Sequence, residues 1–319
     1  MNEILEKISR IGFIPIIDVE DTNNIIHIAK ALIDGGMPIT EIIYCAAESD
    51  KAIREIKEAF PEVLVGVGAF NIEQVKAAAV NGAQFVVNPG FNPKIVAYCK
   101  EIGIPIIPGC TTASDLGKAI ESGIEVVEFF PAEQSGGIER IKAFSKLFRN
   151  IRFIPTGGIN LKNLSIYLSC DNVLACGGSF MIKDEFIKNR EWDKITSLSK
   201  QAVDVIMGFE IGHIGINASN EEEALKVANL FSSLLDLSLN VGNSSIFTGN
   251  VVEVMKPPCF GKIGHIAIKT NSIVRAKYHL ETKGIRFNEN SAKYDTKGNM
   301  TVIYMEQEIA GFAVHLLQK

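Results

Sequence analysis

Val126-Val127-Glu128-Phe129-Phe130-Pro131-Ala132-Glu133 is a short apolar run that stops at a proline and carries one carboxylate among its hydrophobes. β-Branched and aromatic residues in so short a run read as a strand. Side chains alternate faces along a strand, so Val126, Glu128 and Phe130 share one face, and Val127 and Phe129 share the other. Apolar residues on both faces describe a strand buried on both sides, with Glu128 pointing into an interior. A buried carboxylate is costly unless it is paired, hydrogen-bonded, protonated or bound to a metal. The plainer alternative is a strand-end glutamate that reaches solvent.

Similar apolar runs recur on either side of this one. Strands are expected at 13–18, 39–44, 63–67, 84–88, 104–108, 125–130, 151–155 and 172–176, with amphipathic helical segments between them. Thr22, Asn71, Ser114 and Asn160 stand as helix caps, and Gly35, Gly82, Gly103 and Gly123 as helix stops. Eight such strand–helix units of about 25 residues, with doubly buried strands, predict a (β/α)8 TIM barrel over 1–207. A doubly wound open sheet needs a glycine-rich turn after its first strand, and Asp18-Val19-Glu20-Asp21 is acidic instead.

Near residue 208 the pattern turns strand-rich. Gly212-His213-Ile214-Gly215-Ile216 is echoed by Gly264-His265-Ile266-Ala267-Ile268, 52 residues on. Each copy is followed by a helical stretch and short strands, the modules closing at 251–255 and 312–316. The expected second domain, 208–319, is therefore an α+β unit of paired βαβββ modules.

Composition narrows the function classes. The 319 residues are 47% hydrophobic, with a net charge of −5 and a pI near 5.7, so no basic excess attracts nucleic acid or an anionic membrane. The opening MNEILEKISR lacks the apolar core of a signal peptide, and no apolar run reaches spanning length. The six cysteines stand singly, as in a reduced cytoplasmic protein.

In barrels of this class the site lies at the C-terminal strand ends, often with a phosphate held by the loops after strands 7 and 8. Those loops read Thr156-Gly157-Gly158-Ile159 and Cys176-Gly177-Gly178-Ser179. Paired glycines let backbone N–H groups converge on an anion, although Gly-Gly is also an ordinary tight turn. The strand ends further carry Asp18, Glu41, Asn88 and Glu128. Glu41 and Glu128 both face inward by parity, able to act as acid and base or to hold a divalent cation. Two satisfied core carboxylates are the bland alternative.

The segments Gly35-Gly36…Glu41, Val65-Gly66-Val67-Gly68, Asn88-Pro89-Gly90, Ile107-Pro108-Gly109-Cys110-Thr111-Thr112, Phe129-Phe130-Pro131-Ala132-Glu133, Thr156-Gly157-Gly158-Ile159 and Gly177-Gly178-Ser179 resemble, in order, the 2-keto-3-deoxy-6-phosphogluconate / 4-hydroxy-2-oxoglutarate aldolase family. The resemblance implies a lyase that cleaves a 2-keto sugar acid to pyruvate and an aldehyde, commonly as a homotrimer. It implies Glu41 as proton shuttle, and Pro89, Gly90, Thr156, Gly157, Gly158, Gly177, Gly178 and Ser179 around the substrate. The family's Schiff-base lysine position holds Glu128, its carboxylate-binding arginine position Cys45, and a usual threonine position Ala69. A carboxylate has no amine to condense with a ketone, so class I chemistry is not expected there. A metal-dependent epimerase or isomerase of a sugar acid, or a phosphosugar-binding protein without turnover, are the alternatives. Neither nucleotide nor PLP is expected.

The paired C-terminal modules resemble the vicinal oxygen chelate (glyoxalase-like) superfamily, in which the first and last strand of each module supply divalent-metal ligands. The resemblance places such ligands at His213, Glu253, His265 and His315. Imidazoles and a carboxylate suit Zn²⁺, Ni²⁺, Mn²⁺ or Fe²⁺.

Overall fold

The computed structural model describes residues 2–18, 22–45 and 47–319. The acidic turn at 19–21 and the Thr22 side-chain cap lie outside what is described. The chain forms two compact units, Met1–Ile206 and Met207–Lys319.

The first unit carries β1 (Phe13–Asp18), β2 (Ile39–Ile43), β3 (Leu64–Gly68), β4 (Phe85–Asn88), β5 (Ile106–Pro108), β6 (Val126–Phe129), β7 (Arg152–Pro155) and β8 (Cys176–Gly178). Six of these pair in the order β5-β4-β3-β2-β1-β8, and β6 pairs with β7, all parallel. A Gly109–Glu128 bridge joins β5 to β6, and Phe153–Val173 and Thr156–Gly177 bridges join β7 to β8. The ring closes, and the unit is the expected (β/α)8 barrel.

The eighth strand lies further along than expected, with only Cys176 in common. Gly177 and Gly178 belong to the strand itself rather than to a loop after it. A Cβ on Gly177 would stand 2.5 Å from Thr156 Oγ1, so a glycine lets β8 approach β7 here. Asn71 caps its helix as expected, accepting from Gln74 N. Thr112, rather than Ser114, opens the helix Ala113–Glu121, because Thr112 and Asp115 form a reciprocal capping box. Asn160 does not cap a helix; its side chain accepts from Lys162 N in a turn before the helix Leu164–Leu168.

The second unit carries β9 (Glu210–Asn217), β10 (Leu239–Val241), β11 (Ser245–Thr248), β12 (Val252–Met255), β13 (Gly264–Thr270), β14 (Phe287–Tyr294), β15 (Met300–Met305) and β16 (Phe312–Gln318) in one sheet. Its order, β10-β11-β12-β9-β13-β16-β15-β14, is two strand–helix–three-strand modules placed back to back. β9 and β13 meet antiparallel at the centre, each with the last strand of its own module parallel on the other side. The helix Glu221–Leu235 covers the first module, where Ala224 and Ala228 pack with Ile246 and Val254. No helix among the described residues is long and apolar enough to cross a membrane.

Candidate active site and metal-ligand cluster

Partners in adjacent strands share a face, so the register sorts the barrel's side chains. Ile16, Glu41, Gly66 and Phe85 form one such row, and Asp18, Ile43, Gly68, Val87 and Ile107 the next. On the far side Gly109, Glu128 and Ile154 line up, followed by Thr156, Gly177 and Ile14. β2 and β6 stand four strands apart in either direction round the ring, so Glu41 and Glu128 face each other across the bore.

Both carboxyls are buried, at 6% and 5% exposure. Glu41 leans across β3, where a Cβ on Gly68 would lie 2.8 Å from its Oε1. Burial, then the nearby Glu128 charge, push the Glu41 carboxyl well above its ordinary range. Burial raises Glu128 to about 7, opposed by a hydrogen bond with the Thr156 side chain. Among the described residues no hydrogen-bond donor reaches the Glu41 carboxylate. Two buried groups that disfavour each other's charge hold a proton between them near neutrality.

The other expected barrel residues divide. Asp18 is exposed at the rim, where its Oδ1 accepts from Cys45 Sγ at 3.4 Å, and it forms no three-ligand cluster with the buried pair. Asn88 pairs with Pro108 on the outer parity, and its Nδ2 donates to Ala69 O at 2.8 Å, so it ties strand ends together. Pro89 and Gly90 are exposed, and Gly109 packs against the Pro89 carbonyl. Gly157 (φ 95°) and Gly158 (φ 84°) make a left-handed turn that disfavours side chains, and Ser179 is exposed. Thr156, expected as a loop residue, is an inward, buried partner of Glu128. Its place just past a proline-terminated strand was the signal for that role.

Residues 4–198 match the family described as KDPG and KHG aldolase, the abbreviations of the two substrates named above. The chain belongs to this family. The 2-dehydro-3-deoxy-phosphogluconate aldolase of Treponema pallidum is 40% identical over 207 residues, covering 65% of this chain and 99% of that protein. The corresponding Haemophilus influenzae enzyme is 37% identical, covering 64% and 97%. Among solved structures, the Legionella pneumophila KDPG aldolase with pyruvate captured as a covalent carbinolamine is 32% identical, with a TM-score of 0.61 over 63% of this chain and 98% of that one. The Zymomonas mobilis KDPG aldolase with 3-phosphoglycerate is 30% identical, with a TM-score of 0.58 over 62% and 94%. The aldolase family thus accounts for the barrel.

Beyond the aldolase-family residues, the C-terminal sheet brings three expected ligands together. His265 pairs with Gly215, which pairs with Glu253 on its other side, and His213 pairs with Ala267. His213 Nε2 lies 3.1 Å from His265 Nε2 and 3.3 Å from Glu253 Oε2, and His265 Nε2 lies 3.1 Å from the same oxygen. Burial opposes the Glu253 charge, yet hydrogen bonds with His213, His265 and Ser245 win and hold its carboxyl well below the ordinary range. Ser245 Oγ donates to Glu253 Oε1 at 2.6 Å.

His315 is the exception to the four-ligand expectation. It stands beside the trio, ring centroids 5.3 Å from His265 and 5.7 Å from His213, without joining the three-ligand group. Its cross-strand partner Tyr304 packs beside it, ring centroids 4.6 Å apart. Burial and the neighbouring imidazoles lower it to about 3, so it is neutral. Sequence reading missed Ser245, for which it offers no signal, and Gly215. A Cβ on Gly215 would stand 2.0 Å from His265 Cε1, so the His265 ring fills the space a side chain at 215 would need. The Gly-x-x-Gly spacing around His213 carried that information.

Proposed function

We propose that the barrel is an aldehyde-lyase site that cleaves a 2-keto sugar acid to pyruvate and an aldehyde, with Glu41 and Glu128 moving the protons. The observation that carries this reading is the buried, mutually opposed carboxyl pair inside an aldolase-family barrel. The ionised member takes the proton of the C4 hydroxyl. The C3–C4 bond breaks, the aldehyde leaves, and the bonding pair passes into the C2–C3 enolate. The protonated member then returns a proton to C3, giving pyruvate. A carboxyl held at about 7 is matched to such transfers near neutral pH. The carbinolamine trapped in the Legionella protein needs an amine, and none of β1–β8 contains a lysine here. The left-handed Gly157-Gly158 turn, and Gly177 and Gly178 beside it, are read as the anchor for a phosphate-bearing end.

Pyruvate release from 2-keto-3-deoxy-6-phosphogluconate, measured with a coupled dehydrogenase, tests the reading. Glu41→Gln and Glu128→Gln are each expected to lower kcat by roughly 10²–10⁴. Turnover unchanged by both substitutions removes the pair from the mechanism.

A separate observation supports a second reading, of the C-terminal unit. We infer that His213, Glu253 and His265 hold a divalent metal in a cup like that of the vicinal oxygen chelate superfamily. Ligands about 2.0–2.2 Å from one metal stand roughly 3.0–3.5 Å apart, the spacing of this trio. When bound, such a metal acts as a Lewis acid toward an oxygen ligand. His213 and His265 offer their Nε2 lone pairs, and Ser245 orients the carboxylate.

A further inference from the structure

On the inner and outer faces of β1–β8 the one cationic side chain is Arg152, exposed at the first residue of β7, where it pairs with Val126 rather than with Glu128. The inner face carries Asp18, Glu41 and Glu128 instead. A 2-keto acid is an anion, and like charges 4 Å apart repel by about 4 kcal/mol at an effective dielectric of 20. Glu41 adds a second point. It is 6% exposed, has no hydrogen-bond donor among the described residues, and reaches across Gly68 into the bore. A carboxyl at this depth that no described group donates to keeps lone pairs open to a cation.

We propose that Glu41 and Glu128 hold a hard divalent cation, Mg²⁺ or Mn²⁺, that receives the 2-oxo and carboxylate oxygens of the substrate. This rests on the aldehyde-lyase reading above, each carboxylate giving the cation one oxygen and keeping the other for the proton transfers. Such cations favour oxygen ligands, and a common arrangement takes one or two protein carboxylates and completes the shell with waters and substrate oxygens. Two facing carboxyls without a third are the protein's share of that arrangement. The cation supplies the charge the strands lack. It also polarises the 2-oxo group, so the electron pair released from the C3–C4 bond is held at the 2-oxygen. Thr156 holds Glu128 in place, and Asp18 stays at the rim with Cys45.

The test is Mn²⁺ titration of the metal-stripped full-length chain, followed by electron paramagnetic resonance. It uses the parent, the H213A/H265A variant, and that variant with E41Q or E41Q/E128Q added. Removing the two histidines silences the cluster of the other unit. The H213A/H265A chain is expected to keep one Mn²⁺ per chain, with a spectrum that changes when oxalate, a mimic of the pyruvate enolate, is added. E41Q should weaken that site by about tenfold or more, and E41Q/E128Q should abolish it while circular dichroism stays native. No Mn²⁺ on the H213A/H265A chain, or equal binding after both carboxyls are changed, overturns the proposal. Pyruvate release on the same samples separates the two readings. Mn²⁺ bound at the pair without turnover supports the cation and rejects the lyase. Turnover in chains whose barrel takes no Mn²⁺ supports the lyase and rejects the cation.

Discussion

Replacing Glu128 by Gln keeps the size of the side chain and removes its ionisation, and the effect on stability is expected to depend on pH in a definite direction. Burial raises the Glu128 carboxyl from 4.5 to about 7 in the folded barrel. The same group in the unfolded chain releases its proton near 4.5. Between those values the native state holds a proton that the unfolded state has lost, so stability falls as pH rises through the window. Each pH unit of difference is worth about 1.36 kcal/mol, so the interval removes about 3 kcal/mol between pH 4.5 and pH 7. Glu41 moves the same way, and part of its rise comes from Glu128, so the substitution also relieves Glu41. Urea unfolding followed at Trp192 reports on this unit alone, because the chain's single tryptophan opens the helix Trp192–Met207 in the barrel. The parent's midpoint should drop steadily from pH 5 to pH 8. The Glu128→Gln midpoint should stay flatter and exceed the parent's at pH 8. A variant with the parent's pH slope, or one less stable than the parent at pH 8, refutes the reasoning.

Gly215→Ala places a methyl inside the His265 ring, which must then leave the trio; isothermal titration with Zn²⁺ should show affinity lowered about 10–100-fold, and unchanged affinity would remove His265 from the ligand set. His213→Ala with His265→Ala should lower the tightly held Zn²⁺ content of the purified chain, and unchanged stoichiometry would place the metal elsewhere. Gly177→Ala sets a Cβ against Thr156 Oγ1 and should cost about 1–3 kcal/mol in urea unfolding together with a loss of turnover; a neutral result would mean β8 moves freely. Glu128→Lys alone should leave pyruvate release far below that of the Treponema and Haemophilus relatives, because Cys45 and Ala69 stay in place; rates equal to theirs would show that the amine was all that was missing.

Much of the fold was legible because eight apolar runs alternate with amphipathic segments, and because a 52-residue echo marks the second unit. The strand limits slipped where glycine stands. The run 172–176 is the more hydrophobic, yet β8 is Cys176–Gly178, since pairing beside Thr156 demands a residue without a side chain. Ser114 looked like a cap, but Thr112 can bond reciprocally with Asp115 and so begins the helix earlier. Parity alone turned Glu41 and Glu128 inward. That they oppose each other follows only from closure of the ring, because strands four apart are neighbours across a bore and strangers along an open sheet.

The same distinction governs the carboxylates of the two units. Glu253 takes hydrogen bonds from two histidines and a serine, and these outweigh burial and keep it ionised. Glu128 has one such partner in Thr156, Glu41 has none among the described residues, and burial therefore wins at both. A buried carboxyl with few or no donors is costly, and a leucine at position 41 would remove that cost without disturbing the barrel's apolar pattern. Departures of this kind from local consistency concentrate at functional sites. The pair is thus incomplete as structure when ionised, and a proton, a donor or a cation in the bore completes it.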